Sequence, residues 1–148
     1  MRHESNPFLV VGGALSALAA LLHLGCIAFG ASWYRFFGAG EQMARLAASG
    51  SPYPALVTTA IALVLLAWSL LAFSGAGLVR KLPLLRTGLL LVTAIYLVRG
   101  AAVLPLMAYV PGRSETFWWW SSAICLCIGL IHLLGLRQVW ARLSPAAA

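Results

Sequence analysis

Apolar residues gather in four long runs, at about residues 8–31, 55–79, 87–110 and 117–136, and most polar positions fall between them. Within each run there is no alternation of period two; the runs are rich in Leu and Ala and nearly continuous. At about 1.5 Å per residue each can cross roughly 30 Å of hydrocarbon as a helix. Only helices and closed barrels satisfy their own backbone inside lipid, and the missing alternation argues against a barrel. The pattern predicts an all-α polytopic membrane protein, a four-transmembrane-helix bundle forming one membrane domain over 1–148.

The connections refine this picture. Residues 32–54 form the long one, with Trp33, Tyr34, Phe36 and Phe37 as interfacial anchors and Gly38-Ala-Gly40 as a turn. A short interfacial helix is expected over Glu41–Ala48, with Glu41 and Arg45 four apart in the favourable order and Met43, Leu46 and Ala47 turned to the bilayer. Ser49-Gly-Ser-Pro-Tyr-Pro54 ends it, because prolines and glycine cannot continue a helix. Arg80-Lys-Leu-Pro-Leu-Leu-Arg86 is a tight basic turn, and Pro111-Gly-Arg-Ser-Glu-Thr116 a short one.

Composition supports the same class: 62% of residues are hydrophobic and 9% charged, against about 25% charged in soluble domains. The net charge of +7 would point to nucleic acid in a soluble protein. Here the Lys and Arg residues mostly flank the runs, where solvation beside anionic lipid accounts for them, and no nucleic-acid partner is inferred. Arg2, Arg80, Lys81, Arg86, Arg137 and Arg142 fall on one side of the membrane, and Arg35, Arg45 and Arg113 on the other. The positive-inside rule then orients both termini inwards, N-in and C-in, with the 32–54 loop outside.

Processing signals fit the first run poorly. Its apolar stretch is long for a removed signal peptide and lacks the usual small-residue cleavage site. Leu24-Gly25-Cys26 looks like a lipoprotein box, but His23 stands where that pattern wants an aliphatic residue.

The third run contains an anomaly, Arg99, whose guanidinium cannot lose its charge. Eleven Leu, Ile and Val residues in 87–110, at about 0.3–0.6 kcal/mol each, outweigh the roughly 2.5–3.5 kcal/mol that a central Arg costs, so the run still inserts. A partner is nevertheless expected. By helical rise Arg99 and His23 stand at nearly one level, roughly 18 and 22 Å from the inner surface, whereas His132 lies about 8 Å from it. Tyr96 lies one turn below Arg99, and Pro105 above it predicts a kink and a free carbonyl at Ala101. No carboxylate lies in any run, which leaves Glu41, Glu115, a lipid phosphate or a bound anion to meet the charge.

Small residues mark packing faces in membranes. Gly12, Ser16, Ala19, Ala20, His23, Cys26 and Gly30 share one face of the first run; Thr58, Ala62, Ser69, Ala72 and Ala76 share one of the second; Ser121, Cys125, Gly129, His132 and Gly135 share one of the fourth.

Several chemistries find no support. A bis-histidine haem needs its imidazoles at one level, and His23 and His132 stand about 14 Å apart along the membrane normal. Cys125 and Cys127 point to nearly opposite sides of a helix, so they are no redox pair. The membrane-embedded Glu of small multidrug exporters has no counterpart, Gly38-Ala-Gly40 follows no strand, and Ser16, Ser69 and Ser121 lack a base and orienter. No internal repeat supports an inverted-repeat transporter. No metal or cofactor is implied.

The run Leu22-His-Leu-Gly, then Trp33-Tyr-Arg-Phe-Phe-Gly-Ala-Gly-Glu-Gln-Met43, followed by Ser74-Gly-Ala-Gly and Leu82-Pro-Leu-Leu-Arg86, resembles small uncharacterised inner-membrane proteins of proteobacteria. In layout the chain is also similar to DoxX-like four-helix membrane proteins, at the level of topology. The resemblance implies a bacterial inner (plasma) membrane and carries over no catalytic residue.

The leading expectation is an outer-side cavity around His23, Tyr96 and Arg99, lidded by Trp33 to Arg45 with Arg35 and Glu41, that holds a lipid headgroup or a small anionic amphiphile. The alternatives are an accessory or structural subunit packing against another membrane protein or a second copy of itself, and a small membrane enzyme.

Overall fold

The computed structural model describes residues 5–143; Arg2, counted above for orientation, and the tail beyond Leu143 lie outside them. Among the described residues there are helices and no strands: α1 (Pro7–Phe29), α2 (Ala31–Phe36), α3 (Glu41–Ala48), α4 (Tyr53–Ala76), α5 (Leu85–Ala101), α6 (Val103–Tyr109) and α7 (Glu115–Leu143). The helix ends follow local chemistry. Asn6 Oδ1 accepts from the Leu9 amide at 3.0 Å to cap α1, and Gly77, in the left-handed conformation, closes α4. In the α4–α5 turn Ser74 Oγ donates to the Arg80 carbonyl and accepts from the Leu82 amide.

Long helices pack antiparallel: α1 on α4 and α7, and α5 on α7 and α4. Gly12 meets His132 and Gly135 meets Leu9 between α1 and α7, while Gly129 meets Leu97 and Gly100 meets Leu126 between α5 and α7. The buried positions fall on one face of each helix: Trp118, Ser122, Ile128, Gly129, His132, Gly135, Leu136 and Val139 on α7, and Leu85, Leu89, Val92, Thr93, Tyr96 and Gly100 on α5. At Gly100 a Cβ would come 2.6 Å from the Leu126 backbone nitrogen, so glycine lets these two helices approach. Leu and Val side chains such as Leu56, Leu63, Leu91 and Val98 are exposed around the outside.

Three helices, α1, α4 and α7, are long and apolar enough to cross a membrane, and α5 with α6 makes a fourth if the bent pair is one span. This corrects the continuous third run. The chain leaves helical geometry at Ala102 (φ −83°, ψ 25°), and α6 departs from the α5 axis by 67°. Pro105 is the physical cause: it has no N–H for the Ala101 carbonyl, and within the first turn of a new helix that missing donor has no intrahelical role. With 17 residues, α5 rises about 25 Å, and Arg99 stands in its last turn.

The short helix α3 occupies the expected residues, but its apolar face meets protein. Ala44 is buried with Cys26 and Tyr34, and Met43 and Ala47 pack on that cluster. Tyr34 Oη lies 3.1 Å from Thr58 Oγ1, fastening α2 to α4. The α2–α3 segment thus closes one end of the helix assembly, called here the α3 end.

Candidate functional site

Arg99 is satisfied by hydroxyls. Its Nη1 donates to Ser122 Oγ and its Nη2 to Ser121 Oγ, each at 2.9 Å, and its guanidinium carbon lies 5.2 Å from the centre of the Trp118 ring. The expected carboxylate partners are elsewhere. Glu41 takes both oxygens to Arg35, at 2.8 and 3.0 Å, and Oε1 also accepts from Arg45 at 3.2 Å. Glu115, in the first turn of α7, faces the positive end of its own helix. Arg99 in the last turn of α5 gains in the same way from the negative end of that helix. Two hydroxyls, an aromatic face and a helix terminus together meet the charge.

Tyr96 turns away from Arg99. Its hydroxyl lies 2.9 Å from Ser16 Oγ, and its ring packs between Trp68 and His132, with centroids 5.1 and 5.4 Å away. His132 is fully buried, and its Nδ1 donates to the Ile128 carbonyl at 2.9 Å. His23 is half-buried, and its Nδ1 donates to the Ala19 carbonyl at 2.7 Å. These groups form internal polar packing, and each histidine is tied to its own helix. Among the described residues no three His, Cys, Asp or Glu side chains gather as a metal ion would require.

A concave polar feature lies at the α3 end, where two loops meet. Gly38 stands against the Phe117 ring, and a Cβ on Gly40 would come 3.2 Å from the Gly112 carbonyl. Between these loops is a cavity of about 310 Å³ lined by Arg35, Gly38, Gly40, Glu41, Gly112, Arg113 and Ser114. Arg113 is fixed over two rings, with its guanidinium carbon 5.6 Å from the centres of Phe117 and Trp118. Ser114 Oγ accepts from the Phe117 amide at 3.2 Å, which places the amino end of α7 beside the cavity. The first residue of α3, Glu41, also lines it. Charge here is coupled: the Arg35 and Arg45 hydrogen bonds hold the Glu41 carboxyl down at about 2, and the same carboxylate raises Arg35 further. At the α3 end the guanidiniums of Arg35, Arg45 and Arg113 thus stand against the carboxylates of Glu41 and Glu115, an excess of one positive charge.

The expected site residues therefore divide. Arg35 and Glu41 come together at the cavity. Trp33 folds back over Gly25 and stacks on Phe29 at 4.4 Å, covering the end of α1. Arg99 and Tyr96 bond to different partners and His23 to a third, and none of the three lines this cavity. Sequence reasoning missed Ser122, Trp118, Arg113 and Ser114. Ser122 and Trp118 had a signal: both fall on the three-four ladder through Gly129 and His132. Arg113 and Ser114 had none, because only the fold brings the 111–114 turn onto the 38–40 turn.

Comparison of the chain with family models, with curated proteins and with solved structures finds no match.

Proposed function

We propose that this protein is a multi-pass protein of a bacterial inner membrane, a four-helix bundle whose α3 end binds the anionic headgroup of a lipid or a small anionic amphiphile. The observation that carries the reading is the 310 Å³ cavity between two glycine turns, with Arg35, Arg113 and Ser114 on its wall beside the single carboxylate of Glu41. The guanidinium of Arg113 presents forked donors that match phosphate and carboxylate oxygens and lies over aromatic rings where it loses little freedom on binding, while Arg35, engaged by Glu41, adds its charge. The positive-inside count puts this end on the outer face, where exposed Trp119 and Trp120 suit the interface. In this reading α5 and α6 form one broken span, α6 lies along the outer interface, and Arg99 sits at the level of the aromatic belt.

Native mass spectrometry with short-chain phosphatidylglycerol tests it. Arg113→Gln and Arg35→Gln are expected to weaken binding about tenfold each, the loss of one charge-assisted hydrogen bond. Unchanged binding in both variants, or a stoichiometric protein partner retained with no lipid, overturns the reading.

A further inference from the structure

A second concavity lies at the other end of the molecule. It measures about 390 Å³ and runs along the outside of the α5–α7 contact, between Leu90 of α5 and Leu133, Leu136, Arg137 and Trp140 of α7. Its wall changes along its length. Toward the middle of the helices it is leucine; toward the end it is Trp140 and Arg137. Arg86, one turn before Leu90, lies over the Trp140 ring with its guanidinium carbon 3.8 Å from the centroid. That contact fixes the indole as one side of the groove. Arg137 itself is exposed and makes no hydrogen bond or ion pair among the described residues.

We infer that this groove is a binding site for an anionic phospholipid of the surrounding leaflet, with an acyl chain along Leu90, Leu133 and Leu136 and the phosphate on Arg137 beside Trp140. The inference rests on the membrane-spanning reading above but not on the α3-end site. The polarity of the wall decides the occupant. An apolar groove on a lipid-facing surface that ends in a guanidinium at the level where the apolar run stops reproduces the order of a phospholipid: chain first, then phosphate. A soluble anion would leave the leucine wall unfilled, and an apolar helix from another protein would leave Arg137 without an anion. Arg137 and the Arg86–Trp140 pair stand where the basic residues outnumber the acidic ones, so a negative headgroup is favoured over a zwitterionic one. Trp140 supplies the amphipathic edge that belongs at headgroup depth.

The test uses the full chain in detergent and native mass spectrometry, with long-chain phosphatidylglycerol and phosphatidylcholine as probes. The wild type is expected to retain phosphatidylglycerol in preference to phosphatidylcholine. Arg137→Gln should weaken that retention about tenfold, the loss of one charge-assisted contact, and Arg137→Lys should restore most of it. Leu133→Trp fills the groove and should displace the lipid while leaving the charge in place. Arg113→Gln, at the opposite end, should leave this lipid bound even where it empties the α3-end site, so failure of one site is read apart from the other. Failure of the membrane reading shows separately, as release of the protein from carbonate-washed membranes. Equal retention of both lipids by the wild type, or equal phosphatidylglycerol retention by wild type, Arg137→Gln and Leu133→Trp, overturns the inference.

Discussion

Arg99 and Trp118 face one another across the α5–α7 contact, guanidinium carbon 5.2 Å from indole centroid, and Arg113 approaches the same indole at 5.6 Å. Trp118 is buried and links the charge inside the helix assembly to the one at the cavity. The hydroxyls of Ser121 and Ser122 complete the coordination of Arg99. Removing them leaves a charge with fewer partners, whereas removing Arg99 leaves hydroxyls that can turn to their own helix, as Ser121 Oγ already does toward the Trp118 carbonyl. Ser121→Ala with Ser122→Ala is therefore expected to lower stability by about 2–3 kcal/mol, and Arg99→Met by less. In a double-mutant cycle, read by thermal unfolding in detergent, adding Arg99→Met should recover part of the serine loss. Strict additivity would mean that the two contacts carry no coupling.

The Glu41 cluster sets a pH dependence whose sign follows from its shift. The carboxyl is lowered from its ordinary 4.5 to about 2 by Arg35 and then Arg45. A depressed acid stabilises the folded state fully above its unfolded value and loses that contribution as pH falls through the folded value. The α2–α3 segment should thus hold its order down to about pH 4.5 and loosen progressively toward about pH 2. Glu41 is half exposed, so the effect is local. Amide exchange across residues 35–45, compared with Glu41→Gln, reads it; an exchange profile flat over that window in the wild type contradicts the assignment.

Close approach of α5 and α7 makes Gly100 sensitive and Gly88 tolerant. A Cβ at Gly100 would meet backbone, 2.6 Å from Leu126 N and 2.7 Å from its Cα, and backbone cannot step aside. At Gly88 the nearest atom is Leu71 Cδ2 at 3.0 Å, the end of a flexible side chain. Gly100→Ala is expected to destabilise by about 1–3 kcal/mol. Gly88→Ala should be near neutral, because relief of glycine's helix penalty of about 1 kcal/mol offsets a small side-chain shift. Thermal unfolding of the two variants ranks them, and the reverse order would refute the packing.

How far these contacts were legible depends on how local their causes are. Helix α3 was readable from Glu41 to Ala48 because a glycine turn and a proline pair bracket it. The faces of α1, α4 and α7 were readable because Ser16, Thr58, Ser69 and Gly129 recur at packing intervals, and all of these are buried. For Arg99 the sequence did not show the helix end: the break at Ala102 puts it in the last turn of α5, where Ser121 and Ser122 reach it. Pro105 announced a kink, but its 67° size depends on how α6 settles beyond α5, which no local pattern sets. The cavity joins residues 35–41 to 112–114, and a contact so distant in sequence leaves no periodic trace.

His132 offers the sharpest remaining test of the interior. It is fully buried, its ring packs on Gly12, where a Cβ would lie 2.7 Å from Cε1, and Tyr96 stands 5.4 Å away. A carbonyl only accepts, so Nδ1 carries the proton it donates to Ile128. The other nitrogen, Nε2, is buried without a hydrogen-bond partner among the described residues. A buried unsatisfied polar atom costs about 1–3 kcal/mol, so His132→Leu, close in volume, should be neutral or stabilising by about 1 kcal/mol. Gly12→Ala should destabilise by about 1–3 kcal/mol through overpacking on the ring, and His132→Ala should relieve it, making the double variant less damaged than the sum of its parts. If instead His132→Leu destabilises by about 2 kcal/mol or more, Nε2 is satisfied in the folded protein and the histidine is doing polar work rather than filling space.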